Sequence, residues 1–321
     1  MTRTRKIAFL VATLLLVLGL LIGGFGLLLM GFDLRNLDSG GYHEVETEIT
    51  EEFDSVEIDT STANIRFAAS EDGTCRVVCY ENEKIPHSAK VTDGVLTIFE
   101  EDNRAWYEHI GFYNRSTEIV VYVPRKTFAA LEISASTGDV TLKGLHFGEL
   151  SIRLSTGDIT LTDIIAEKMT LGVSTGDVTL SRVTAGSLDI SATTGDISVG
   201  DTVVSGAVEI QTTTGDVSCD ILTADTLAVE TDTGEVMLTD TVAEGSLTVL
   251  TDTGDVTLTR VDAGEIGITT DTGDVVGTLR SGKLFTTSTD TGDVSVPAHD
   301  PDGEPCSITT DTGDIDIRIA G

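Results

Sequence analysis

Basic side chains are scarce in this sequence. Lys and Arg number 20 against 53 Asp and Glu, a formal net charge of -33. A polyanion of that size excludes direct binding to nucleic acid or to an anionic lipid surface, and leaves divalent cations and cationic partners as its counterparts. Histidines are few, and His43, His87, His109, His146 and His299 fall at unrelated places, so no recurring acid–base or metal-ligand pattern comes from them. Aromatic residues make up 5% of the chain, with a single Trp. Four cysteines say little about disulfides by their number. Cys75 and Cys79 would stand about 13 Å apart along an extended strand, beyond the reach of a bridge. Cys219 and Cys306 take positions that other repeats fill with aliphatic residues, so all four are expected to be small buried hydrophobes rather than redox or zinc ligands.

What the chain has in plenty is one tripeptide. Thr-Gly-Asp recurs ten times, with Gly at 138, 157, 176, 195, 215, 234, 254, 273, 292 and 313, and Glu235 is the one replacement of Asp. Successive glycines lie 19 residues apart six times, 20 apart twice and 21 apart once. So short a unit cannot enclose a core of its own and must stack on its neighbours, which is the signature of a solenoid.

Positions counted from the glycine keep their character. Seven before it stand residues such as Leu131, Leu150, Met169 and Cys306, and five before it Ile133, Ile152, Leu171 and Ile308. Two after it the residue is always Val or Ile. This period of two predicts half-buried strands on either side of a corner, with odd offsets inward before the glycine and even offsets inward after it. Glycine permits the positive φ that such a corner needs, and Asp can bond the turn backbone. A weaker apolar position seven or eight after Gly (Leu145, Ile164, Val183, Val203, Leu222, Val242, Val261) precedes small residues such as Ala166, Ala185 and Ala263, and closes the coil. The expected fold is all-β: a parallel, right-handed β-helix of 19–21-residue coils spaced about 4.8 Å apart.

Four regions precede the repeats. Residues 1–6 form a basic tail and 7–32 a transmembrane helix; 33–43 is a linker, 44–130 atypical capping coils, and 131–321 the ten repeats. Ile7 to Phe32 contains no charge, about 39 Å as a helix, enough to cross a bilayer core of about 30 Å. Arg3, Arg5 and Lys6 before it and Asp33 and Asp38 after it predict a cytoplasmic N-terminus with the repeats outside, the span being retained rather than cleaved. Within 44–130, Ile58 to Phe67 reads as a degenerate repeat with Ala63-Asn64 in place of Gly-Asp, and 100–115 breaks the period as an aromatic excursion carrying Trp106, Tyr107 and Tyr113.

An N-terminal anchor, then FDSVEIDTSTANIRF, DGVLTIFEE, IVVYVPRKTFAALEISASTGDVTL and serial STGDVTL repeats together resemble the bacterial putative-adhesin family of β-strand-repeat proteins, a domain of unknown function. The resemblance spans about residues 44–321. It implies a β-helical ectodomain on a bacterial envelope protein, some relatives being encoded beside envelope stress-response systems, and no established catalytic site.

Acidic columns are the feature with chemistry. In register, the Asp after each Gly stacks on its neighbours, and from the sixth repeat the residue two before Gly is also Asp, giving Asp232/Glu235, Asp252/Asp255, Asp271/Asp274, Asp290/Asp293 and Asp311/Asp314. Carboxylates at that pitch repel by about 0.9 kcal/mol per neighbour in water. Calcium could offset this with several hard oxygen ligands; alternatively each Asp satisfies a turn amide and solvent screens the rest. Paired carboxylates can hydrolyse glycosides, yet these pairs recur without one distinguished member, so no enzyme is expected. Two readings remain: a surface-exposed, adhesin-like module that binds an extracellular protein or glycan through the columns or through Trp106, Tyr107 and Tyr113, or an accessory or sensor of an envelope stress response. A polysaccharide-active β-helix enzyme is the remote third.

Overall fold

The computed structural model describes residues 13, 15–19, 41–70, 72–101, 103, 117–298 and 300–320. Described residues 41–320 are almost entirely strand, joined in one sheet of 25 strands that winds as a parallel β-solenoid. Each coil carries a long strand before the glycine, such as His146–Thr156, and a short one after it, such as Ile159–Thr162. Both pair in parallel with their equivalents in the next coil, Leu150 with Met169 and Ile159 with Val178.

The predicted columns form the core. Leu150, Ile152, Ile159 and Leu161 are fully buried in one coil, and Leu188, Ile190, Ile197 and Val199 in another. The odd offset three before Gly is also inward, and from the fifth repeat it is Thr. Thr231, Thr270 and Thr310 are buried, each Oγ1 donating to the glycine carbonyl of an adjoining coil (Gly215, Gly254 and Gly273) at 3.4, 3.3 and 3.1 Å.

Seven residues after the glycine, the interior position is strict, which corrects the expectation for two valines. Thr202 and Thr241 fill that place at 0% exposure, while Val203 is 52% exposed and Val242 half-buried. The cause lies one residue earlier. Gly144, Asp163, Arg182, Asp201, Ile221, Asp240 and Arg260, all six after a glycine, have φ between 47° and 67°, a second left-handed corner that fixes which residue enters the core next. Thr202 and Thr241 tolerate burial because their hydroxyls donate to Gly200 O and Thr239 O, at 2.9 and 3.2 Å.

Chain order and stacking order part company at both ends. The strand Glu304–Thr312 pairs on one side with Val256–Thr272 and on the other with Lys283–Thr291, so the repeat at Gly313 lies between those at Gly273 and Gly292. The repeat at Gly292 therefore caps the stack. This accounts for Thr287, the one polar residue five before a glycine, and for Val294, which is 44% exposed. At the other end, Ser55–Ala69 is a true coil inserted between Thr127–Thr137 and Val95–Glu100. Its outer side is closed by antiparallel pairs: Tyr42–Ile49 on Cys75–Asn82, Cys75–Asn82 on Thr117–Val123, and His87–Thr92 on Val95–Glu100. An outermost coil has ladder partners on one side only and frays; insertion gives the first and last repeats partners on both sides.

The predicted transmembrane segment 7–32 falls largely outside the described residues. Positions 13 and 15–19 are helical, and no described helix is long and apolar enough to cross a membrane. The excursion with Trp106, Tyr107 and Tyr113 lies outside the described residues.

Candidate functional site

The Thr-Gly-Asp corner is the most repeated local structure in the chain. Its glycines have φ between 135° and 158° at Gly138, Gly157, Gly176, Gly195, Gly215, Gly234, Gly273, Gly292 and Gly313. Sterics add a second demand: a Cβ on Gly195 would stand 1.9 Å from Gly176 O. Glycine stacks on glycine because no side chain fits between coils at this corner.

The Asp that follows serves the neighbouring coil rather than its own turn. Asp139 Oδ1 accepts from the Asp158 N–H at 3.0 Å, Asp158 from Asp177 at 2.9 Å, Asp177 from Asp196 at 2.9 Å, and Asp216 from Glu235 at 2.8 Å. Asn64 Oδ1 does the same for Asp139 at 3.0 Å, which confirms Ala63-Asn64 as the degenerate corner. At the far end the ladder follows spatial order, Asp274 Oδ1 receiving Asp314 N–H and Asp314 Oδ1 receiving Asp293 N–H, at 2.7 and 2.8 Å. A hydrogen bond to a carboxylate contributes roughly 1.5–3 kcal/mol, discounted here for exposure. That still matches or exceeds the repulsion of about 0.9 kcal/mol between neighbours.

Of the ten column acids, Asp232, Glu235, Asp252, Asp255, Asp271, Asp290, Asp293, Asp311 and Asp314 are exposed and Asp274 is half-buried. Among the described residues, no three of them bring ligand oxygens within 4.8 Å of one another. Among the described residues the one group of three metal-ligating atoms at close quarters lies elsewhere, at Cys79, Glu81 and His87.

Sequence reasoning missed the charge ladder on the second corner. Arg182 grips Asp163 of the preceding coil with Nε to Oδ1 at 2.6 Å and Nη2 to Oδ2 at 3.2 Å. Arg260 holds Asp240 in the same two-pronged way, and Arg280 adds Nη2 to Asp240 Oδ1 at 3.3 Å. These bonds, with the charges behind them, hold both aspartates below the ordinary carboxylate range. The available signal was an Asp or Arg six after the glycine, with a coil's separation between partners.

All four cysteines are free and buried, as expected. Burial pushes Cys75 up to about 11 and Cys79, Cys219 and Cys306 up to about 12, with the Glu81 carboxylate adding to the rise at Cys79. Such thiols are poor nucleophiles.

Surface depressions among the described residues offer places for a ligand. On the face before the glycine, Gly172 floors a shallow depression of about 310 Å³ edged by Arg153, Thr170, Ser174, Ser191 and Thr193. At the N-terminal end, an open cleft of about 670 Å³ is lined by Glu48, Glu51, Asp54, Phe53 and Lys126 among others. Lys126 Nζ sits 5.0 Å from the centroids of both Phe53 and Phe128 and donates to Phe53 O. Phe53, Phe128 and Phe147 follow one another through successive coils with ring centroids 6.0 and 6.1 Å apart, the first pair stacked and the second tilted.

Several solved structures are similar to this chain at low identity. A protein described as a putative adhesin from Bacteroides fragilis is 13% identical with a TM-score of 0.39, 88% of this chain and 99% of that one being covered. Another putative adhesin, from Parabacteroides distasonis, is 12% identical with a TM-score of 0.46, over 87% and 98%. A putative lipid binding protein from Parabacteroides distasonis is 14% identical with a TM-score of 0.44, over 87% and 98%. No curated protein matches the chain. The Toastrack DUF4097 family matches residues 53–220 and again 206–321, between them nearly the whole solenoid, and the chain belongs to that family.

Proposed function

We propose that this is a non-catalytic binding protein of the bacterial envelope, anchored by residues 7–32 with its solenoid outside the cell, whose partner is an extracellular polymer, a glycan before a protein. The observation that carries the reading is the face before the glycine. There the outward side chains of successive coils form a flat, regular array of hydroxyls and charges, hollowed at Gly172. Repeated hydroxyl donors and acceptors at a fixed pitch suit a polymer with its own repeat, engaged by many weak contacts along its length. The acidic columns contribute a stripe that gathers cations diffusely, calcium included, and repels anionic polymers. The uncharged run from Ile7 to Phe32 behind Arg3, Arg5 and Lys6 supports the anchor and its orientation.

The test uses the full chain in lipid nanodiscs against an immobilised panel of neutral and anionic polysaccharides and matrix proteins. Binding to a neutral glycan that falls at least tenfold in Gly172→Gln, a substitution that fills the hollow, supports the reading. Equal retention of the variant and the parent, or no retention on any surface, overturns it. Externally added protease should remove the solenoid from intact cells; protection would overturn the orientation.

A further inference from the structure

The N-terminal cap contains a cluster that neither the repeat pattern nor the binding face explains. Cys79 and Glu81 are two apart in the strand Cys75–Asn82 and so share its inward side. A tight turn, marked by the Asn82–Ile85 bridge, brings back His87, the first residue of the strand His87–Thr92. One ligand atom from each of the three lies within 4.8 Å of the other two. The His87 and Glu81 side chains are 1% and 2% exposed, and Cys79 is 5% exposed. Glu81 and His87 engage each other, His87 N–H and Nδ1 lying 2.6 and 2.9 Å from Glu81 Oε2, with the Cys79 thiol beside them.

The hydrogen bonds around His87 are directional. Thr60 Oγ1 donates to Glu100 Oε2 at 3.3 Å, so its oxygen is left to accept from His87 Nε2, 3.1 Å away. Nδ1 and the His87 backbone N–H both lie within hydrogen-bond distance of Glu81 Oε2, at 2.9 and 2.6 Å, so an ion entering here takes the place of the Nδ1–Glu81 contact. A histidine whose Nε2 rests on an outer hydroxyl backed by a carboxylate, with Nδ1 on the side of a second carboxylate and a thiol, is placed as proteins place metal ligands.

We propose that Cys79 Sγ, Glu81 Oε and His87 Nδ1 bind one divalent cation of the zinc class. Thiolate, imidazole and carboxylate are the donors zinc and cobalt(II) take, whereas calcium and magnesium select oxygen alone. Ligand atoms around a tetrahedral zinc lie about 3.3–3.8 Å apart, so side-chain rotations of about 1 Å bring the trio to the required geometry. Charge also balances: a dication with thiolate, carboxylate and neutral imidazole has no net charge, which suits a site so little exposed. The ion joins the strand Cys75–Asn82 to His87, and His87 through Thr60 to the first coil, so it staples the cap to the solenoid.

The experiment titrates cobalt(II) into the purified full chain, stripped of metal by chelator and kept reduced. The expected result is one equivalent bound with a thiolate-to-cobalt charge-transfer band, which zinc abolishes. Cys79→Ser loses the band and Cys306→Ser, at the other end of the solenoid, keeps it. Thr60→Val keeps the band with about 10- to 100-fold weaker affinity, as an outer-shell loss does. Circular dichroism establishes that each variant folds, and if Cys79→Ser does not, Glu81→Gln must weaken binding at least tenfold. No thiolate band in the folded parent chain overturns the proposal. So does a band that survives Cys79→Ser, or uptake with only the weak spectrum of oxygen ligands.

Discussion

Replacing Gly195 with alanine isolates what the corner column demands. The new Cβ would lie 1.9 Å from Gly176 O and 2.6 Å from Gly176 C, where ordinary contact begins at 3.4 Å, so the two coils must part locally by about 1.5 Å. That opens Gly176 N to Thr194 O (2.9 Å), Val178 N to Asp196 O (3.0 Å) and Asp196 N to Asp177 Oδ1 (2.9 Å). At a net 0.5–1.5 kcal/mol each these bonds contribute roughly 1.5–4.5 kcal/mol, and the backbone at φ 144° adds about 1–3 kcal/mol for a residue with a side chain. The expected loss is about 3–7 kcal/mol, measured by urea unfolding followed by circular dichroism. Gly144→Ala is the internal control: its φ is 67°, a Cβ there meets nothing within 4 Å, and equivalent positions carry Asp, Arg or Ile. It should cost only about 1–2 kcal/mol. If Gly195→Ala costs no more than Gly144→Ala, close approach between coils is not what requires glycine, and the argument for the column fails.

The carboxylate ladder makes a chemical distinction: Asp177→Asn, which keeps an acceptor as Asn64 does, should leave the unfolding midpoint nearly unchanged, and Asp177→Ala should lose about 1 kcal/mol; equal effects would show that the bond from Asp196 contributes nothing. Thr251 is buried with its hydroxyl unpartnered, so Thr251→Val should be neutral or stabilising by up to about 1 kcal/mol in the same assay, and a clear loss would reveal a partner for Oγ1. Deleting residues 304–321 removes the middle member of three stacked repeats. Hydrogen exchange should then accelerate throughout 283–295, although those residues remain, whereas persistent protection would mean that repeat can pair directly with the coil at Gly273. Asp262 supplies the pH test. Burial alone would raise its carboxyl, but bonds from Lys283 and Ser281 outweigh that and hold it below the ordinary range. A depressed folded value stabilises the protein above the unfolded carboxylate value of about 3.9 and loses that stabilisation as pH falls through the folded value. The thermal midpoint should therefore drop more steeply for the parent than for Asp262→Asn on acidification below about pH 4, and parallel profiles would refute the pairing.

Much of the solenoid was legible because every coil meets the same environment. A residue five before a glycine sees only the residues five before the glycines above and below, so period and offset suffice to place Ile152 or Ile190 in the core. The corner ladder was half legible: Asp could be assigned to an amide, but whether in its own turn or the next coil depends on the path of the chain between coils. Val203 and Val242 were misplaced because hydrophobicity chose the residue, whereas the left-handed corner at Asp201 and Asp240 sets the register.

Composition and periodicity alone determined that the chain is a stacked, acidic, parallel β-solenoid cornered at Thr-Gly-Asp, since units of 19–21 residues have no other way to bury their aliphatic faces. Tertiary structure decided what depends on neighbours remote in the chain. It set the repeat at Gly313 inside the one at Gly292, paired Arg182 with Asp163 and Arg260 with Asp240, and gathered Cys79, Glu81 and His87 beside Thr60 and Glu100. Stacking order is chosen by which coil can best tolerate an open edge, and side-chain clusters by how the cap folds back on the first coil, and neither choice carries a period that can be read along the sequence.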